Sequence, residues 1–272
     1  MDLENDEAAS AVVTVFGGQL KMCREFAGLS REELGKLLGY AMHTIKAYEL
    51  ATRIPEEATV LKADEVLSAR GMLSAWVPVL AEVRFSPFVR PLARYEAHCV
   101  SRYSYDPLAV PGLLQTEEYA RAVVGAAVPA ITEGEVERGV GERLARQEVL
   151  DRESPPTVNF VIEQSALERP IGGSRTHRAQ LEQVLRRGEQ RSLSIQVMPT
   201  GVKEHPGIDG GMILLEMPER RKVGYIESQA NRQLVTDRKA VSRLMLRYDM
   251  IRTQALPTSE SAEIIEKLAG QV

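Results

Sequence analysis

The side chains able to do chemistry are few and widely spaced. Histidine stands at His43, His98, His177 and His205, and cysteine at Cys23 and Cys99. None has the short spacing that lets several ligands close on one metal ion, so neither a metal nor a cofactor is expected. In a reducing compartment both thiols are expected to be buried and inert. The serines, histidines and acids lack the pattern of a nucleophile with its base and orienting acid. Around His205 the chain reads His205-Pro206-Gly207-Ile208-Asp209-Gly210-Gly211. Phosphodiester chemistry built on a His and a Lys two residues apart finds no lysine in place. A glycine loop that cradles phosphate also needs a following lysine, and none follows. The stretch reads as a loop entering a strand at Met212. The expectation is a protein with no catalytic residues.

What remains is the chemistry of recognition, which depends on the elements that would present side chains to a partner. Ser30 is followed three residues on by Glu33, a capping box in which each side chain satisfies the other's free backbone N–H. It predicts a helix through Leu38, with Leu34, Leu37 and Leu38 toward a core. Gly39 ends it, because the residue after a helix often needs positive φ. A second helix is predicted from Met42 to Leu50, with Ile45 and Tyr48 inward and Glu49 closing the last turn. A helix from Phe16 to Ala27 precedes both, with Leu20, Cys23 and Ala27 at helical spacing. Two short helices joined by a glycine turn make a helix-turn-helix. A B-form major groove admits one helix while the preceding one braces it across the backbone. Plain helical bundles contain such hairpins too, so spacing alone leaves both readings open.

The chain of 272 residues is long enough for two domains. The expected division is a helix-turn-helix domain over 1–84, with a polar tail over 1–15, and a larger domain over 85–272. The fold class expected is α+β: all-α in front, mixed α/β behind. Pro87, Pro91, Pro107 and Pro111 mark a joint, a short helix, a strand and a turn. Helices are predicted at Thr116–Val124, Glu133–Arg152, Arg175–Arg187 and Val241–Ile251. Strands are predicted at Val158–Ile162 and Leu193–Met198, with a hairpin pairing Met212–Glu216 and Val223–Glu227. Strand, helix, strand and hairpin together imply a mixed sheet with helices packed on it. No apolar run reaches the roughly eighteen residues of a membrane span. The acidic, polar opening from Met1 to Ser10 lacks the pattern of a secretory signal. A cytoplasmic location with no membrane association is expected.

Net charge is −4, whereas nucleic-acid binders commonly carry a basic surplus. Between Phe16 and Glu56 six basic residues (Lys21, Arg24, Arg31, Lys36, Lys46, Arg53) face five acidic ones (Glu25, Glu32, Glu33, Glu49, Glu56). So near-neutral a segment calls either for two copies on one DNA site or for modest affinity.

Leu29-Ser30-Arg31-Glu32-Glu33-Leu34, Leu38-Gly39-Tyr40, Thr44-Ile45-Lys46-Ala47-Tyr48-Glu49 and Arg53-Ile54-Pro55 resemble the lambda-repressor-like (XRE) family. The resemblance implies base-reading positions at Ala41, Met42, His43, Lys46 and Ala47. It also implies a phosphate contact at Arg31, with Thr44 and Arg53 as further ones. The family usually has glycine after the recognition helix, where this chain has Ala51. Ala41, Met42 and Ala47 can touch only apolar groups such as a thymine methyl, so hydrogen-bonded readout rests on His43 and Lys46.

The run from Asp106 through Pro111-Gly112-Leu113-Leu114-Gln115-Thr116 to Ala122 is similar to a domain of unknown function in actinobacterial regulators, the WhiJ-like proteins of streptomycetes. Arg143-Leu144-Ala145-Arg146-Gln147, Val161-Ile162-Glu163-Gln164-Ser165-Ala166-Leu167 and Tyr225-Ile226-Glu227 add to the likeness. Physically, Pro111-Gly112 is a turn and Thr116 caps a helix. The corner is either an internal anchor or part of a partner site with Leu113 and Leu114 as apolar contacts. The resemblance implies a DNA-binding transcriptional regulator, read here as a repressor. It implies double-stranded DNA, a second copy of the chain and a small protein encoded nearby as partners. An antitoxin-like component and a small-molecule-sensing repressor are the alternatives.

Overall fold

The computed structural model describes residues 3–83, 90–204, 206–228 and 232–272. They fall into two compact units, residues 1–90 with 132–142 and residues 91–131 with 143–272. The Pro87 joint and His205 lie outside the described residues.

The first unit contains helices α1 (Leu3–Phe26), α2 (Arg31–Leu38), α3 (Met42–Glu49), α4 (Glu57–Val66) and α5 (Val77–Val83). Helix α1 begins at Leu3, so the stretch expected to be a polar tail is helical. Ala8, Ala9 and Ala11 favour helix strongly, and no glycine or proline interrupts the run before Gly17. The core gathers Phe16 and Leu20 of α1, Leu34 and Leu38 of α2, Ile45 and Tyr48 of α3, and Val60 of α4. Leu37 was expected in that core but is 48% exposed. The inward face of α2 is Leu34, Gly35 and Leu38, one residue round from the face that would include Leu37. After α4, the Asp64 carboxylate accepts the amides of Gly71, Leu73 and Ser74, each at 2.8 Å, and so fixes the turn into α5.

The second unit holds α6 (Arg90–Glu96), β1 (Ser101–Asp106), α7 (Glu117–Gly125), β2 (Thr157–Glu163), α9 (Gln164–Glu168), α10 (Ser174–Gly188), β3 (Leu193–Met198), β4 (Met212–Glu216), β5 (Lys222–Glu227), β6 (Arg232–Val235), α11 (Arg238–Arg252) and α12 (Thr258–Gln271). Helix α8 (Glu133–Gln147) passes from the first unit into the second at Arg143. It ends at Gln147 and continues as one tight turn to Asp151, shorter than the helix predicted to Arg152. The sheet order is β3-β2-β1-β4-β5-β6. β1, β2 and β3 run parallel, joined through helical crossovers, and β4, β5 and β6 continue the sheet antiparallel. The expected fold class is the observed one: a helical region followed by a mixed sheet with helices. Alternate side chains supply two cores, as strand geometry requires. Val158, Phe160 and Ile162 of β2 pack with α7, α10 and α12 on one face. Tyr105, Val161, Met212 and Leu214 pack with Tyr248 and Ile251 of α11 on the other. Cys99 is buried and Cys23 half-buried, both as free thiols. Burial pushes the Cys99 thiol up to about 11, in keeping with an inert group.

Candidate nucleic-acid interface

Helix α2 opens with the reciprocal cap. The Glu33 amide donates to Ser30 Oγ at 3.2 Å, and the Ser30 amide donates to Glu33 Oε2 at 2.8 Å. Gly39 closes the helix in the left-handed region at φ +86°, with its amide on the Gly35 carbonyl. Gly35 is needed for a different reason: a Cβ there would stand 2.5 Å from the Tyr40 carbonyl oxygen. The chain therefore turns closely from α2 into α3. Ile45 and Tyr48 anchor α3 inward, and the Tyr48 ring meets Tyr40 edge-on at 5.9 Å. Across the helix, Ala41, Met42, His43, Lys46 and Leu50 are exposed and Ala47 is half-buried. One face of α3 thus offers two polar side chains flanked by apolar ones.

Two features hold the C-terminal end of α3. At Gly17, α1 comes so near that a Cβ would lie 2.7 Å from the carbonyl oxygens of both Tyr48 and Glu49. Glu49 was expected only to close the last turn. Its side chain is fully buried instead and takes Arg24 Nε at 2.5 Å and Arg31 Nε at 2.7 Å. One carboxylate thus ties α3 to α1 and to the start of α2. The bond to Glu49 is the largest of the influences that hold the Arg24 guanidinium above its usual pKa. The sequence carried a signal for this role, since Glu49 lies four residues after Ile45 and shares its inward face. Nothing in the sequence alone marked the close approach at Gly17.

The structure gathers most of the expected DNA-contacting residues on one side of the helix pair. Arg31 sits at the start of α2 with 32% of its side chain exposed. Its bond to Glu49 fixes the guanidinium and commits one of its five N–H donors. Arg53 is half-buried, its guanidinium 6.0 Å from the centre of the Tyr48 ring. Thr44 is 7% exposed, sharing the inward face with Tyr48, and this burial does not suit the phosphate contact expected of it. Ala51 has φ +60°, the conformation that glycine takes without strain.

Leu113 and Leu114 require a correction. Both are 0% exposed, in the core with Phe160 and Leu181, and so cannot anchor a partner at the surface. The corner they occupy is internally fastened. Gln147 Nε2 donates to the carbonyls of Gly112 and Gln115 at 2.9 and 2.8 Å, and Gln180 Nε2 donates to that of Leu114 at 2.8 Å. Thr116 caps α7, accepting the Tyr119 amide at 3.3 Å.

Residues 15–75 match a helix-turn-helix domain. With the geometry of α2 and α3, this makes the protein a helix-turn-helix protein, the class of DNA-binding regulators. Residues 89–267, more than half of the chain, match the domain of unknown function DUF5753. The chain belongs to that family. No curated protein and no solved structure matches it. No helix among the described residues is long and apolar enough to cross a membrane.

Proposed function

We propose that the protein is a cytoplasmic transcriptional repressor of the lambda-repressor-like (XRE) type, with a WhiJ-like second domain of the actinobacterial kind. Two copies bind a near-palindromic DNA site, each placing α3 in the major groove. The observation that carries this reading is the exposed face of α3, where His43 and Lys46 stand beside Ala41 and Met42 on a helix braced by Glu49. His43 and Lys46 donate to base edges, Met42 and Ala47 touch thymine methyls, and Arg31 and Arg53 meet phosphates. The second domain catalyses nothing and takes a small protein encoded nearby, through a surface other than the buried Leu113-Leu114 pair.

The test begins with DNA selected from a random pool by the full-length protein and footprinted. The expected footprint holds two half-sites about 34–36 Å apart, one helical turn. His43→Ala combined with Lys46→Ala should weaken binding to that site, each base contact being worth about 1–3 kcal/mol. A folded double variant with unchanged affinity overturns the assignment of α3. A single asymmetric half-site with one chain bound overturns the dimer. Capture of the neighbouring gene product by residues 85–272 or by the full chain tests the partner, and failure of both to bind discards it.

A further inference from the structure

Four separate stretches of the second unit meet on one face of its sheet. β1 turns Arg102, Ser104 and Asp106 to that face, and β5 turns Tyr225 and Glu227 to it, two strands away through the register Ser104↔Ile213↔Tyr225. The C-terminal half of α8 brings Arg143 and Arg146, and the Gly112–Leu114 turn brings Gln115. Most of the charges there answer one another. Glu96 takes Arg102 Nε at 3.0 Å and Arg146 Nε and Nη2 at 2.8 and 3.0 Å. Ser104 accepts from Arg102 at 2.9 Å and donates to Asp106 at 2.6 Å. Glu227 takes Arg232 at 2.6 Å.

Arg143 has no such answer. Its Nη1 donates to the neutral Gln115 Oε1 at 2.7 Å, its methylenes run along Gly112, and no carboxylate among the described residues forms an ion pair with it. Among the described residues its Nε and Nη2 hydrogens have no hydrogen-bond acceptor. The group is partly withdrawn from water, and that desolvation, helped by neighbouring Arg146, lowers its pKa to about 10. Counting the whole cluster, four arginines (Arg102, Arg143, Arg146, Arg232) face three carboxylates (Glu96, Asp106, Glu227), so positive charge is in surplus. A partly desolvated guanidinium with only a neutral partner is costly until an anion completes it. The position is also one that open α/β sheets use for ligands: Gln115 lies in the loop leaving the carboxyl end of β1, and Glu227 ends β5.

We propose that Arg143 and Gln115, beside Arg146 and Arg232, form a binding site for a small oxyanion, a carboxylate or a phosphate. Two ligand oxygens take the free edge of the Arg143 fork, the arrangement in which a guanidinium binds an oxyanion most tightly. Gln115 is part of the corner fastened by Gln147 and Gln180, so the ligand loads a rigid part of the domain. The site is independent of α3, and its failure leaves the DNA reading untouched.

The experiment uses the full-length protein and two probes, inorganic phosphate and acetate, at ionic strength held constant with chloride. Phenylglyoxal modifies accessible guanidiniums, and mass spectrometry follows the peptide bearing Arg143. Occupancy by either probe at about ten times its Kd should slow modification of Arg143 about tenfold. Exposed Arg186 should react at an unchanged rate. The more protective probe identifies the oxyanion class. The same probe should raise the melting temperature of the wild type and have a much smaller effect on Arg143→Lys, which keeps the charge and loses the fork. Arg143 reacting equally fast with and without both probes overturns the site. So does an Arg143→Lys variant whose thermal response matches the wild type.

Discussion

At the scale of single residues, Ala51 carries a penalty that only its backbone reveals. An L side chain in the left-handed region costs on the order of 1 kcal/mol, and Ala51 sits there at φ +60°. Ala51→Gly is therefore expected to stabilise the first unit by about 0.5–1 kcal/mol, read as a higher denaturant midpoint at unchanged slope. A fall in the midpoint would show the alanine methyl to be worth more than the strain. Asp106 makes a second case. Burial outweighs the pull of Arg102 and the Ser104 hydrogen bond and lifts its carboxyl from 3.8 to about 6. Between those values the unfolded chain has lost this proton and the folded one keeps it, so stability falls as pH rises through the interval. Asp106→Asn should remove that slope and leave the protein about 1–2 kcal/mol more stable at neutral pH, less than full burial would cost because Asp106 keeps some contact with water. Glu96 acts oppositely: burial raises its pKa, but Arg146 and Arg102 outweigh that and hold it below its usual 4.5. Its stabilisation is present above the unfolded-state value and lost as pH falls through the folded one. Denaturation measured from pH 4 to pH 7 separates the two, and an unaltered slope in Asp106→Asn rejects the assignment. Much of the exposed face of α3 was legible because His43 and Lys46 fall opposite Ile45 and Tyr48 on a 3.6-residue period. Glu49 was expected to close the last turn; its tie to Arg24 and Arg31 was not legible because both arginines are distant in sequence.

Among the elements, what positions α3 is its close contact with α1, made at Gly17. A methyl group there meets two backbone oxygens at 2.7 Å, and backbone cannot move aside as a flexible side-chain tip can. Gly17→Ala is expected to push the helices apart, costing about 1–3 kcal/mol. It should also weaken DNA binding, although the substitution touches none of the exposed face of α3. Gly18 is the control, since nothing lies within 4 Å of a Cβ there. Gly18→Ala should be neutral or stabilising in the helix. Equal effects of the two substitutions would reject the close approach as the cause. The helix-turn-helix and the strands β2 to β5 were legible because local signals decide them: a capping box, a left-handed glycine, alternation of apolar residues. The start of α1 was not, because a polar helix end resembles a polar tail when only apolar periodicity is counted. Strand β6, Arg232–Val235, escaped because four residues of mixed polarity at a sheet edge carry almost no period. Leu113 and Leu114 were ambiguous for a related reason: an apolar pair beside a turn looks the same whether it faces a core or a partner.

For the whole molecule the informative quantity is charge. The net charge of −4 opposes DNA, and the helix-turn-helix segment has little surplus to offset it. The structure reduces the available charge further. Arg24 is spent on buried Glu49, and Lys36 pairs with Glu32 at 2.9 Å. Lys21 lies 4.0 Å from Glu25 on α1. On each copy of the proposed dimer that leaves Arg31 and Arg53 as the cations proposed for phosphates, with Lys46 proposed for bases. Each neutralised phosphate contributes about −0.9 to the slope of log K against log salt, so a dimer using these arginines should show a slope of about −4. Many DNA-binding proteins are steeper because more of their binding energy comes from the phosphates. A shallow slope would mean that this protein draws proportionately more of its affinity from base contacts at α3. Specificity over random DNA should then survive added salt better than it does for a strongly basic protein. Binding isotherms at several salt concentrations, for the selected site and for random DNA, measure both slopes. Arg31→Ala should reduce the dimer's slope by about 2, one phosphate contact per copy, and weaken selected and random DNA alike. A wild-type slope near −8 would require phosphate contacts from cations outside α2 and α3 and would move the interface away from the face described. An Arg31→Ala slope equal to the wild-type value would mean that this arginine serves only to hold Glu49.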